Sequence, residues 1–146
     1  MKPLLISACL LGIPCRYDGK SKGNELCKSL EKHFYLIPIC PEVLGGLSTP
    51  RLPCERQGNK IICCDGSDRT KEYTDGSHEA LKIAKEHNVQ YALMKEKSPS
   101  CGKEFCYDGS FQKVLIRRMG VTSELLTENG ITVFSENEIA ALFDKK

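Results

Sequence analysis

Nine cysteines, at positions 9, 15, 27, 40, 54, 63, 64, 101 and 106, are the residues of this chain best suited to chemistry. Thiolates are nucleophiles and soft metal ligands. An odd count at irregular spacing, with no convincing export signal, argues against a secreted disulfide framework. None of the spacings has the two-residue gap of a zinc ribbon or a ferredoxin. Cys63 and Cys64 are adjacent on a predicted strand, so their side chains point to opposite faces and cannot easily share one ion. Cys27 is expected to pack inside a short helix, and Cys54 and Cys106 carry no pattern of their own. The three histidines, His33, His78 and His87, fall on or beside charged helices and read as structural or exposed. Any reactive set must therefore be selected by the elements that bring distant thiols together.

Those elements alternate between strand and helix. Leu4 to Ala8 reads as an apolar strand ending at Cys9, and Gly12, Pro14 and Asp18-Gly19 punctuate the loop after it. Asn24 can cap a short helix through Leu26 and Leu30. Phe34 to Ile39 is a second strand, closed by Cys40-Pro41-Glu42, and Val43 to Pro53 is expected to be irregular. Asn59 to Cys63 reads as a short strand. Asp75 to His87 is the best helix, with Ala80, Leu81, Ile83 and Ala84 on its apolar face. Val89 to Met94 is a strand that feeds Ser98-Pro99-Ser100-Cys101-Gly102. Thr122 is expected to cap a helix carrying Leu125 and Leu126, stopped by Asn129-Gly130. Ile131 to Phe134 forms another strand, and Ser135 with Glu138 makes a capping box for a last helix burying Ile139, Ala140, Leu142 and Phe143.

This alternation predicts an α/β fold with a mostly parallel sheet, Rossmann-like and three-layered, in one domain spanning residues 1–146. The length suits a single core. A formal charge of +2 demands neither a nucleic-acid polymer nor a membrane as partner. The opening MKPLLISACLLG begins like a signal peptide, but Ser7, Cys9 and Gly12 interrupt it and Arg16-Tyr17-Asp18-Gly19 follows. A buried first strand in a cytoplasmic protein, a monomer or small homo-oligomer, is the expectation.

Sites in open parallel sheets are built at the carboxyl ends of the strands. Three strands lead to cysteines there, so Cys9, Cys40 and Cys101 are expected on one rim. Three thiolates together repel unless a cation compensates them. Buried structural thiols, a zinc site and an iron–sulfur cluster all remain open on this reasoning. A cluster held by three cysteines would leave one iron open to a soft donor such as sulfur.

The blocks SACLLGIPCRYDGK, ICPEVLGGLSTPR, DGSHEALKIAKEHNVQYALMKEKSPSCG, YDGSF and MGVTSELLTENGITVFSENEI narrow the choice. In this order they resemble the bacterial family of domain of unknown function 523 (DUF523), which includes thiouracil desulfidases. The resemblance implies a [4Fe-4S] cluster held by Cys9, Cys40 and Cys101 with one open iron, and catalytic roles for Glu42 and Ser98. It implies a non-redox enzyme acting on a small thiolated base, releasing uracil and sulfide from thiouracil. Glu42 would then handle the proton of an attacking water, and Ser98 would hydrogen-bond the substrate or the developing oxyanion. A cluster protein that binds sulfide or a small sulfur compound without turnover is the alternative. Glu42 as an ordinary strand-end carboxylate and Ser98 as a turn cap are the plain structural roles.

Around this set, Cys15 is the strongest additional ligand candidate, with packing as its favoured role. Arg16, Asp18 and Arg51 are candidates for the mouth of the site. Ser100 is a competing hydroxyl, and the N–H groups at Gly45-Gly46 and Gly102 are candidate donors. Lys103 to Cys106 and Lys113 to Met119 are expected to form substrate-side loops.

Overall fold

The computed structural model describes residues 1–146. Lys2–Ser7 (β1), Phe34–Ile39 (β2), Tyr91–Met94 (β5) and Thr132–Ser135 (β8) form one sheet in the order β2-β1-β5-β8, with every pairing parallel. Leu4, Leu5 and Ile6 of β1 are all fully buried, as a central strand covered on both faces requires. Side chains alternate between the faces of the sheet. Leu5 joins Ala80, Leu81, Ala84 and Leu126, from helices Thr70–Glu86 (α3) and Val121–Glu128 (α4). Leu4 and Ile6 join Cys27, Leu30, Ile139 and Leu142 on the other face, where Glu25–Ser29 (α1) and Ile139–Phe143 (α5) lie. The expected parallel α/β sheet, flanked by helices, is therefore present. No helix is long and apolar enough to cross a membrane.

Two antiparallel hairpins sit outside the sheet. Cys54–Gln57 (β3) pairs with Lys60–Cys63 (β4), and Phe105–Tyr107 (β6) with Leu115–Arg117 (β7). Only β4 was legible in advance. The others are three or four residues long and take their pairing partners from the turn they close. Cys54 and Cys63 face each other across β3 and β4 and are disulfide-bonded, which leaves seven free cysteines. Buried Arg56 ties this hairpin to α4: it donates to the Gly58 carbonyl at 2.8 Å and the Met119 carbonyl at 2.6 Å, and pairs with Glu124 at 2.6 Å.

Helix ends follow local chemistry. The Asn24 side chain accepts from the Leu26 and Cys27 N–H groups, and Ser135 with Glu138 forms the expected capping box. Thr122 is not a cap. It is wholly buried, and Gly120 takes the capping position. Ala140 is exposed rather than packed. α3 begins five residues before the expected Asp75, because Asp68 accepts the Thr70 N–H at 2.9 Å and buried Tyr73 and Ser77 extend its inner face.

A short helix, Pro41–Leu44 (α2), follows Cys40 and takes in Val43 and Leu44, the first residues of the Val43 to Pro53 segment expected to be irregular. Pro at its first position suits a helix start. α2 crosses α3 closely enough that a methyl group on Gly45 would collide with the Glu72 carbonyl, and one on Gly76 with the Pro41 carbonyl. Both obstacles are backbone, so neither can swing aside. Gly76→Ala is expected to destabilise the chain by about 1–3 kcal/mol, the usual range for overpacking, as read from denaturant midpoints. Thr74→Ala, at an exposed position of the same helix, should leave the midpoint nearly unchanged.

Candidate active site

The parallel register brings the three strand ends level. Ser7 lies opposite Ile39, and Ile6 opposite Leu93, so Cys9, Cys40 and the loop after Met94 start from one rim. Ser7 closes this edge: its hydroxyl accepts the Lys95 N–H at 2.9 Å and lies 3.8 Å from the Met94 sulfur. Cys9 sits in a short 3-10 turn (Ala8–Leu11), and Cys40 immediately precedes α2. Cys9 and Cys101 are buried, and Cys40 is half-buried.

Cys101 reaches the rim on a turn organised from three directions. The Ser98 hydroxyl accepts the N–H groups of Ser100 and Cys101, both at 3.0 Å. The Pro99 carbonyl accepts from Val121 and the Ser100 carbonyl from Thr122, each at 2.9 Å, which satisfies donors at the start of α4. Below them, hydroxyls join Ser100 to Thr122 at 2.7 Å and Thr122 to Ser77 at 2.9 Å, while Ser123 holds the Cys101 carbonyl at 2.7 Å. A carboxylate that sequence reasoning missed secures the far side. Buried Glu96 accepts the N–H groups of Lys103, Glu104 and Phe105 through one oxygen, at 2.8, 3.0 and 3.1 Å. Nothing in the local sequence distinguishes Glu96 from the charged residues beside it.

Glu42 stands at the start of α2, two residues after Cys40. Its Oε1 accepts the Tyr73 hydroxyl and the Arg51 Nε, the latter at 3.3 Å. Arg51 also donates to the carbonyls of Ser48 and Cys15, both at 3.0 Å, so it joins the Glu42 carboxylate to two loops. Burial works against the Arg51 charge, but Glu42 outweighs it and holds the guanidinium above its usual range. Burial, then the Glu42 charge, pushes the Tyr73 phenol well up, so it remains a donor. Arg51 was foreseen near the mouth; Tyr73 was not, because only the α2–α3 crossing brings it there. Arg16 and Asp18 pair with each other at 3.4 Å.

Several candidate groups are already occupied. Ser100 is fully buried within its hydroxyl chain. The N–H groups of Gly45, Gly46 and Gly102 bond to the carbonyls of Pro41, Val43 and Ser98. Lys103 to Cys106 and Lys113 to Met119 run into and out of the β6–β7 hairpin, which packs against β3. His78 and His87 are exposed and His33 packs edge-on against Phe143, so none joins the rim.

The thiols themselves form a coupled group. Burial, then the neighbouring Cys40 and Glu42 charges, pushes the Cys101 thiol up to about 12. The hydrogen bond that Cys40 donates to Cys15, then burial, pushes Cys40 up strongly. No three His, Cys, Asp or Glu side chains converge on a single ion. The donor set is thiol-rich, and its Cys40 and Cys101 sulfurs resist ionisation.

A parallel α/β sheet that brings thiols and a braced carboxylate to its strand ends defines the class: an α/β domain with a thiol-rich rim. The family model described as 2-thiouracil desulfurase matches residues 4–138, and the chain belongs to that family. Protein YbbK of Bacillus subtilis (strain 168) is 41% identical over 146 aligned residues, covering 93% of this chain and 97% of that one. A solved structure described as the [4Fe-4S]-dependent thiouracil desulfidase TudS matches with a TM-score of 0.93 and 40% identity, over 100% of both chains.

Two measurements test this construction. Glu96→Ala should strand three backbone donors, so amide exchange at Lys103, Glu104 and Phe105 should accelerate at least tenfold while the β1 amides stay protected. Stability should also fall with alkaline pH in the iron-free chain. Cys27 and Cys106, pushed up to about 11 by burial, and Cys101, up to about 12, bind their protons more tightly when folded than unfolded. Their contribution is fully present below the ordinary thiol range near pH 9 and is lost as pH rises through the folded values. Denaturant midpoints at pH 8 and 10.5 should show the drop, and it should be smaller in Cys101→Ala.

Proposed function

We propose that this protein is a [4Fe-4S]-dependent, non-redox desulfurase of thiolated pyrimidines such as thiouracil. The net reaction is hydrolysis: thiouracil and water give uracil and hydrogen sulfide. The observation that carries this reading is the full-length likeness to the thiouracil desulfidase structure, together with three thiol-bearing strand ends on one rim. Cys9, Cys40 and Cys101 are the proposed ligands. When bound, the cluster supplies a soft Lewis acid that polarises the carbon–sulfur bond and accepts the sulfide.

The chain's own residues supply position and proton handling. Tyr73 and Arg51 both occupy Oε1 of Glu42, which leaves Oε2 as the edge that can take a proton from water. The Ser98 oxygen already accepts two N–H groups. Its hydroxyl proton is not committed by those bonds and can be donated to the substrate or the developing oxyanion. Ser98 thus combines the catalytic and structural roles that the sequence presented as alternatives.

The two-sided core supports reading residues 1–146 as one Rossmann-like, three-layer domain. A small thiolated base, rather than a nucleic-acid polymer or a membrane, fits the near-neutral charge. The odd number and irregular spacing of the cysteines suit a cytoplasmic setting rather than a secreted disulfide framework.

Anaerobic reconstitution, followed by iron and acid-labile sulfide analysis and incubation with 2-thiouracil, tests the proposal. Uracil and sulfide should appear in equal amounts. Glu42→Gln should keep its iron but lose about 10²–10⁴-fold in kcat, the usual contribution of a positioned acid–base group. Cys101→Ala should retain no intact cluster. Full iron uptake with tight sulfide binding but no uracil would favour the non-catalytic sulfur-handling alternative; normal turnover in Cys101→Ala would sink the ligand assignment.

A further inference from the structure

Three buried hydroxyls run between the two halves of the site: Ser77 of α3, Thr122 of α4 and Ser100 of the Cys101 turn. Ser77 and Thr122 oxygens lie 2.9 Å apart, and those of Thr122 and Ser100 2.7 Å apart. The order of the protons follows from one end of this chain. The Ser77 hydroxyl donates back to the Tyr73 carbonyl at 2.8 Å, and a carbonyl can only accept. Each hydroxyl carries one proton, so Thr122 donates to Ser77 and Ser100 donates to Thr122. The Ser100 proton is therefore committed to the interior.

The same tyrosine serves the other half of the site, because its phenol donates to Glu42. One residue of α3 thus touches the carboxylate through its side chain and anchors, through its carbonyl, the hydroxyls that reach the Cys101 turn. That turn is seated tightly on α4. The Thr122 N–H donates to the Ser100 carbonyl at 2.9 Å, and a side-chain carbon on Gly120 would collide with the same carbonyl. Thr122 bonds to both the turn and α3. Apolar helix faces tolerate small slides, whereas a hydrogen bond between short buried side chains weakens steeply when its geometry changes. We infer that Thr122 is a positioning residue for the proposed reaction: its hydroxyl fixes where the Ser98–Cys101 turn stands relative to the Glu42 carboxylate. The inference rests on the desulfurase reading above. Thr122 touches no reacting atom and acts through Ser100 and Ser77.

Thr122→Val replaces the hydroxyl with a methyl group of similar shape, and Thr122→Ser keeps it. Both are reconstituted and compared with the wild type at equal iron content, with 2-thiouracil as substrate. Thr122→Val should lose about tenfold or more in kcat with KM within about twofold, the pattern of misplaced reacting groups. Thr122→Ser should recover most of that loss. A lower denaturant midpoint with unchanged kcat per loaded protein would mean a purely structural role and overturn the inference. Ser77→Ala and Ser100→Ala, alone and combined, give a second test. Members of one chain should be non-additive, the double variant being little slower than the slower single; effects on kcat that multiply overturn the inference.

Amide exchange in the iron-free chain needs no turnover. Ser77→Ala changes the α3 end alone, yet exchange at the Ser100 and Cys101 N–H groups should accelerate about tenfold while the β1 amides stay protected. Unchanged exchange at those two amides overturns the linkage even if the wild type is active. Accelerated exchange in a protein whose wild type releases no uracil overturns the desulfurase reading, and the catalytic part of the inference with it.

Discussion

The parallel registration of β1 between β2 and β5 is the constraint on which the site depends. A one-residue slip in either pairing would turn Leu4, Leu5 and Ile6 to the wrong faces and offset the strand ends. The buried apolar residues of β1 therefore hold the thiols level, although none of them touches the chemistry. Burial also sets the electrostatics. The Cys40 and Cys101 thiols, confined in a low-dielectric rim, stay protonated because ionising there is costly. The same packing that stabilises the sheet thus holds the Cys40 and Cys101 thiols in their neutral form.

Two carboxylates organise the loops that carry the site. Glu96 gathers three backbone donors on one oxygen and so shapes the return from Cys101 towards β6. Glu42 is braced by Tyr73 from α3 and by Arg51 from the loop after α2. A carboxylate with both partners on one oxygen is oriented rather than merely neutralised. The turn at Cys101 follows the same economy. Its carbonyls meet the unsatisfied donors at the start of α4, so the loop and the helix stabilise each other.

Much of the fold was legible because its signals are local. The Phe34–Ile39 strand, the Asn24 cap and the Ser135–Glu138 capping box follow from apolar runs and side-chain chemistry within a few residues. The short strands β3, β6 and β7 were not legible, since their pairing depends on partners across a turn rather than on periodicity. The helix at Pro41–Leu44 was hidden among glycines, and two of those that suggested irregular chain, Gly45 and Gly46, follow it directly. Gly45 instead serves the close α2–α3 crossing. Thr122 looked like a cap because threonine commonly is one, but burial against Ser77 and Ser100 gives it a different partner.

The sequence by itself determined the alternation of strands and helices, and with it the selection of Cys9, Cys40 and Cys101 from nine cysteines. Once strands are parallel, their carboxyl ends share one edge by geometry alone, while the order β2-β1-β5-β8 came from the tertiary structure. The sequence also supplied the family resemblance that attached Glu42 and Ser98 to those thiols. Only the tertiary structure decided which groups orient them. Tyr73 lies 31 residues from Glu42, Arg51 donates to a carbonyl 36 residues away, and Thr122 reaches Ser77 across 45 residues. Such contacts arise where packed elements cross, and side-chain direction at a crossing has no signature in the linear chain.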